Sequence, residues 1–344
     1  MKLLLAIPTK YVGNMTIAMR AVATALKSEH DVILLIDDNF ADLAALAFGH
    51  GHKVISYPRG ALSKQSSWSR IRNYLGFISL LRRDFYDAIL DLDGSVVSGR
   101  LVGMARGKLK IGPGFAKRLR VYDQLVPIDQ SIQHCFEDYR TMLTQVDLSI
   151  EDPNYLRIPP VTAAGEGAVA QLGLDANRPI ATIHPSATKD YKQWDIQGFA
   201  ALADWLSTTG WQVVIVGAGE GERARVAALF AQLQHPAVNA YNRLSITELI
   251  MLFQRSNVFV GNDSGPMHLA TASGCQVIAL FGPTELVRWR PRGTNAQVLK
   301  GPAPCSPQCQ PEACLRDYQC MTSLSLEQVQ AAVLALPAAG NEVL

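Results

Sequence analysis

Long apolar runs are missing from this 344-residue chain. Its start, Met1-Lys2-Leu3-Leu4-Leu5-Ala6-Ile7-Pro8, sets only five apolar residues after the lysine. That is too few for the core of an export signal and reads as a buried first strand. No uninterrupted apolar stretch approaches the roughly 18 residues that span a bilayer, so a soluble, cytoplasmic protein is expected. Cysteine is sparse: Cys135 and Cys275 stand alone, and Cys305, Cys309, Cys314 and Cys320 fall in a Pro-rich stretch. Without an export signal, disulfides are not expected. The spacing is not that of a paired CxxC site, so reduced thiols in a compact loop are favoured over a structural zinc or iron centre.

Acid is the third scarcity, and it is local. Residues 59–83 carry Arg59, Lys64, Arg70, Arg72, Arg82 and Arg83 without one acidic residue. Residues 100–120 carry Arg100, Arg106, Lys108, Lys110, Lys117, Arg118 and Arg120, again without one. These two segments hold +13 of a chain whose net charge is only +2, leaving the remainder at −11. Solvated helix faces account for some of these cations, but an imbalance of that size also suits an anionic partner.

What is present is ordinary for a globular protein: 48% hydrophobic and 18% charged residues exclude global disorder. Strand-like runs at 3–8, 32–36, 53–57 and 88–92 alternate with helical patterns near 16–26, 40–48 and 67–83, as parallel βαβ units require. Pro153 to Pro160 breaks the composition. Beyond it the alternation restarts, with strands near 180–183, 213–216, 258–260 and 277–281. An α/β fold of two doubly wound, Rossmann-like halves is expected, residues 1–158 and 159–344. Ligands would sit at the carboxyl ends of the strands, in a central cleft faced by both halves.

Four strand exits carry the chemistry. Val260-Gly261-Asn262-Asp263-Ser264-Gly265-Pro266-Met267-His268 runs from a strand through small polar residues into a helix, which aims backbone N–H groups at an anion. Gly261 and Gly265 would allow close approach of phosphate, with His268 on the first helical turn. Asp263 or Ser264 would equally serve as the helix N-cap. Gly282-Pro283-Thr284 is a second loop at the same sheet edge. Gly217-Ala218-Gly219-Glu220-Gly221-Glu222 imitates GxGxxG with an acid in place of the third glycine, and an acid at a strand end suits ribose hydroxyls. His184 to Trp194 offers hydroxyls and Lys192 for a diphosphate.

Taken together, Gly261 to Ala270, Ala279 to Thr284, Lys192-x-Trp194, the Gly217 turn, Tyr86 to Leu92 and Ser325 to Val329 resemble, in order, glycosyltransferase family 9. This is the family of ADP-heptose:lipopolysaccharide heptosyltransferases, and the likeness spans nearly the whole chain. It implies a GT-B fold and inverting transfer of heptose from ADP-heptose to the Kdo- or heptose-bearing lipid A inner core. Ser186, Thr188, Lys192, Glu220, Asp263, Ser264, Gly265 and His268 would surround the donor in the second half. The anionic acceptor would dock on the first half, where Arg59, Lys64, Arg70, Arg72 and Arg120 lie. No cofactor, metal, nucleic acid or transmembrane segment is implied. The place of work would be the cytoplasm, with peripheral attachment to the inner membrane an option and the last helix free to pack back on the first half.

One position departs from the family. Its usual Gly-Asp, whose aspartate is proposed as the base, reads Gly13-Asn14 here. An amide cannot take up a proton at neutral pH, so Asn14 can only orient the acceptor. The family often has Gln or His where this chain has Asp93, which makes Asp93 a candidate replacement base. Asp91-Leu92-Asp93 also imitates a metal-binding DxD, which belongs to a different glycosyltransferase fold. Alternatives are a family member with another nucleotide sugar or acceptor, or a weakly active or non-catalytic protein of the same fold. A nucleotide-sugar epimerase shares the architecture without needing a basic first half.

Overall fold

Runs such as Leu3-Leu4-Leu5-Ala6-Ile7 and Val258-Phe259-Val260 are apolar without alternation, the pattern of strands covered on both faces. In the computed structural model, which describes residues 1–64, 67–116, 120–161, 169–302, 309 and 311–337, they form the centres of two parallel sheets. The chain divides into two compact units, Met1–Leu156 and Arg157–Leu344.

The first unit contains β1 (Lys2–Ile7), β2 (Asp31–Asp37), β3 (Lys53–Tyr57), β4 (Tyr86–Asp91), β5 (Gly107–Pro113) and β6 (Gln124–Val126), in the spatial order β3-β2-β1-β4-β5-β6. The second contains β7 (Ile180–His184), β8 (Gln212–Ile215), β9 (Val238–Asn239), β10 (Val258–Asn262), β11 (Gln276–Phe281) and β12 (Ala296–Lys300), in the order β12-β11-β10-β7-β8-β9. Each sheet starts at its centre, winds outward one way, and returns to wind the other way. Two Rossmann-like halves result, as the sequence implied. The winding reverses between β1 and β4 in one unit and between β7 and β10 in the other. Loops leaving the carboxyl ends of such a pair splay to opposite faces and open a crevice, which is where side chains can meet a ligand.

The cores are dry. Leu4, Ala6, Ile33, Leu35, Phe77 and Tyr86 pack in the first unit, and Ile183, Phe199, Leu206, Ile215, Val260 and Leu280 in the second. The final helix, Leu326–Leu334, is held at its start by a reciprocal Ser325–Gln328 capping box. Its Val329, Ala332 and Val333 join the second core against the helix Ile196–Thr208.

Candidate active site

In the second unit the switch point gathers most of the residues singled out in the sequence. β7 ends at His184 and leads into Ser186, Thr188 and the short turn Asp190–Lys192; β10 ends at Asn262 and leads through Asp263 and Ser264 into the helix Gly265–Ser273. Asn262 locks the two exits together. Its amide donates to the Pro185 carbonyl at 2.8 Å and its oxygen accepts from Trp194 N–H at 2.9 Å. Trp194, packing rather than ligand, donates its indole N–H to the Leu324 carbonyl. On this frame the Lys192 ammonium meets the Asp263 carboxylate at 2.7 Å, with Asp263 only 6% exposed.

The helix that starts at Gly265 is left uncapped by side chains. Ser264 stands at the N-cap position, but its hydroxyl lies 3.2 Å from His184 Nδ1 instead of turning back onto the helix. The first-turn N–H groups, apart from Pro266, which has none, thus keep their capacity for an anion. Two buried hydroxyls flank β10 from the neighbouring strand exits, Ser186 after β7 and Thr284 after β11. Neither Oγ has a hydrogen-bond partner among the described residues. Buried polar groups are nearly always paired, so two orphans beside an open helix N-terminus point to a polar ligand. Thr188 is exposed at the rim of the same loop.

His268 is buried on the helix's first turn. Burial, reinforced by the nearby Lys192 charge, pushes its pKa down to about 3, so it is a neutral imidazole at physiological pH. It can offer a hydrogen bond to an anion but no formal charge.

Two assignments made from the sequence change. Glu220 does not join the group: its side chain is 79% exposed and pairs with Arg223 one turn along the surface. Glu222 takes the inward position. It accepts from Ala218 N–H at 2.9 Å and lies 3.2 Å from His184 Nε2. Burial opposes its ionisation, but these contacts outweigh burial and hold its carboxyl below the usual range. A chain Glu222–His184–Ser264 results, running from the β8 exit across β7 to the β10 exit. The signal was present in the sequence as the acid replacing the third glycine. Gly261, expected to admit phosphate, lies within β10; a Cβ there would fall 2.8 Å from the Phe259 ring and 3.0 Å from the His184 carbonyl. Its smallness serves strand packing.

In the first unit, β1 exits through Pro8 and Thr9 to the helix Val12–Leu26, with Asn14 half-buried in its first turn. β4 exits through Asp91 to Asp93, across the same switch point. Asp91 is fully buried and accepts from Ser98 Oγ and Tyr122 Oη at 2.5 Å each, and from the N–H groups of Asp93 and Gly94. Burial outweighs these donors and raises its pKa to about 6. Asp91 is thus a structural post engaged by four donors. Asp93 is only partly buried and accepts a hydrogen bond from the Ser95 hydroxyl. Burial raises its carboxyl above the usual range, opposed by hydrogen bonds from Ser95 and Thr9 and by the Arg59 charge.

Arg59 belongs to this edge. Its guanidinium pairs with the buried Asp37 at the β2 exit, donates to the Pro8 carbonyl at 2.7 Å, and lies over the Tyr57 ring. Arg70, Arg72 and Arg120 are exposed. Lys64 ends the helix Arg59–Lys64, and its side chain lies outside the described ones; so do Lys117, Arg118 and Cys305. Cys135, Cys275 and Cys320 are buried and Cys309 and Cys314 partly so, and among the described residues no group of three His, Cys, Asp or Glu is placed to hold a metal ion.

Two parallel sheets wound in dinucleotide-binding order, each with polar groups gathered at its switch point, are the two Rossmann-like units of the GT-B fold class. The sequence profile of glycosyltransferase family 9 (heptosyltransferase) matches residues 75–319, and the chain belongs to that family. Lipopolysaccharide heptosyltransferase 3 of Escherichia coli is 26% identical over 299 residues, 83% of this chain and 85% of that protein. Among solved structures, the ADP-heptose LPS heptosyltransferase II of Escherichia coli superposes with a TM-score of 0.77 at 20% identity, covering 98% of each chain. Escherichia coli heptosyltransferase WaaC with ADP gives 0.72 at 19% identity, covering 98% of this chain and 100% of that one.

Proposed function

We propose that this protein transfers heptose from ADP-heptose to the inner core of lipopolysaccharide, with inversion at the anomeric carbon and without a metal or other cofactor. The observation that carries the donor half of this reading is the uncapped Gly265–Ser273 helix with two unpartnered buried hydroxyls beside it. Lys192 adds a cation, and neutral His268 a hydrogen bond, to a site suited to a diphosphate. The 26% identity to a named lipopolysaccharide heptosyltransferase over most of both chains supports heptose as the sugar. The acid-free basic segments support an anionic acceptor on the first unit, presented at the inner face of the inner membrane.

Asp93 takes the proton from the acceptor hydroxyl in this proposal, and Asn14 orients that hydroxyl. A carboxyl that burial raises above the usual aspartate range is a better proton acceptor than an ordinary aspartate. Gly13-Asn14 favours a second reading, a protein that binds the donor but turns over slowly or not at all.

Mass-spectrometric turnover of ADP-heptose with and without a Kdo–lipid A or heptosylated acceptor separates the two. Acceptor-dependent ADP release, with the opposite anomeric configuration in the product, is expected. Tight ADP binding with no transfer would establish the second reading.

A further inference from the structure

The helix Ser67–Leu81 shows two contrasting faces. Its inner face is accounted for: Phe77 and Leu81 are buried with Ile33, Leu35 and Tyr86, and Tyr57 meets the Phe77 ring edge-on. Its outer face carries Trp68, Ile71 and Leu75, which are 85%, 52% and 61% exposed. Spaced i, i+3, i+7, the three fall on one stripe roughly 60° wide. Leu80 and Phe85 are also more than half exposed, but Leu80 lies well round the helix from this stripe and Phe85 beyond its end. Scattered exposed apolar residues are ordinary, but a contiguous row led by a tryptophan marks a surface with a partner.

Charge says which partner. Arg72 is exposed beside the stripe, and Arg82 and Arg83, also exposed, close the last turn. No acid occurs between residues 59 and 83, and the next one, Asp84, is paired with Lys2. Two copies of this face would bring arginines against arginines, which disfavours self-association. Aromatic and aliphatic side chains flanked only by arginine match the boundary of an anionic bilayer, where the apolar groups enter and the cations meet phosphate.

We propose that the outer face of this helix docks the protein on anionic phospholipid, with Trp68, Ile71 and Leu75 entering the headgroup–acyl boundary and Arg72, Arg82 and Arg83 meeting lipid phosphates. The inference deepens the membrane-face location proposed above. β3 leaves the sheet at its carboxyl edge and β4 re-enters at the opposite edge, so the Trp68 end of the helix lies on the side of Thr9 and Asp93. Docking there brings the candidate acceptor edge of this unit to the lipid surface.

Flotation of the full chain with phosphatidylethanolamine–phosphatidylglycerol vesicles, against phosphatidylcholine alone, tests this without donor or saccharide acceptor. Its failure is thereby distinguished from failure of heptosyl transfer. Binding to the anionic vesicles is expected to weaken with salt, and to fall more than tenfold in a Trp68→Ser, Ile71→Ser, Leu75→Ser variant. Arg72→Glu with Arg82→Glu is expected to weaken it likewise, and unchanged circular dichroism and ADP affinity in the triple variant show that it folds. Absence of wild-type binding to anionic vesicles overturns the proposal. So does undiminished binding by the triple variant. Lipid-free self-association of the wild type that the triple variant abolishes overturns it too, in favour of an interface between copies.

Discussion

Lys192 and Asp263 pair at 2.7 Å where Asp263 is nearly buried, so each depends on the other. Lys192→Ala is expected to weaken ADP binding at least tenfold, about 1.4 kcal/mol. It also leaves a buried carboxylate unpaired, so a lower melting temperature should accompany the loss. Calorimetry that returns wild-type ADP affinity for both Lys192→Ala and Asp263→Ala would remove these residues from the site. A sharper contrast lies between two nearby acids. Glu222→Ala strands His184, whose side chain is 2% exposed, without its Nε2 partner. Leaving a buried polar group unpaired costs about 1–3 kcal/mol, so Glu222→Ala should lose stability and ADP affinity together. Glu220→Ala removes only an exposed pair with Arg223 and should change neither. Paired thermal melts and ADP titrations of the two variants decide between them. At this scale the sequence told which strand exits bring small polar residues to the sheet edge, because glycine and small polar residues between an apolar strand and a helix stand out by composition. It did not tell which of two acids turns inward. That depends on how the helix Glu220–Phe230 is phased against β7, a tertiary fact that residue type does not encode.

At the scale of elements, the strands near each sheet's centre and the edge strand β3 were legible, and β5, β6, β9 and β12 were not. β1, β2, β7, β10 and β11 are buried on both faces and read as continuous apolar runs. β5 opens Gly-Lys-Leu-Lys with its start partly exposed, while β6 and β9 have three and two residues, too short for any periodicity. β4 has a second role that its sequence disguised. Asp91 at its end fastens Ser98, Tyr122 and the turn that carries Asp93, so the DxD pattern is one post and one candidate base. The raised pKa of Asp91 has a consequence for stability. Its folded value, about 6, exceeds the unfolded 3.8, so the folded state holds this proton more tightly. The stabilisation is fully present below the unfolded value and is lost as pH rises through the folded one, about 3 kcal/mol in all. Asparagine does not titrate. The stability of Asp91→Asn relative to wild type should therefore improve between about pH 4 and pH 7. Urea denaturation of both proteins at the two pH values measures this, and parallel pH profiles would show that folding does not raise the Asp91 pKa.

For the whole molecule, the two Rossmann-like units carry different groups at their switch points: a cation, hydroxyls and an open helix N-terminus in one, a carboxylate and an amide in the other. The fold and the family could be read from the sequence because the strand-exit motifs recur in order along nearly the whole chain. The base could not, since Asn14 breaks the pattern just where chemistry would be assigned. The geometry narrows the question. Asn14 and Asp93 follow β1 and β4, the two strands between which the winding reverses, and Thr9 in the β1 exit hydrogen-bonds Asp93. General-base assistance is typically worth 10²–10⁴-fold, so Asp93→Asn should lower kcat by at least about a hundredfold while ADP affinity stays unchanged. Because Asp93 works ionised and burial raises its pKa, the acid limb of the kcat profile should lie above the ordinary aspartate range and vanish in Asp93→Asn. Asn14→Asp supplies a second carboxylate near the acceptor edge and should leave activity intact or increase it. In the double variant Asn14→Asp, Asp93→Asn, recovery of turnover would place both residues in one proton-accepting role. Full activity of Asp93→Asn alone would sink the assignment, and inactivity of every variant with retained ADP binding would leave donor binding as this chain's established property.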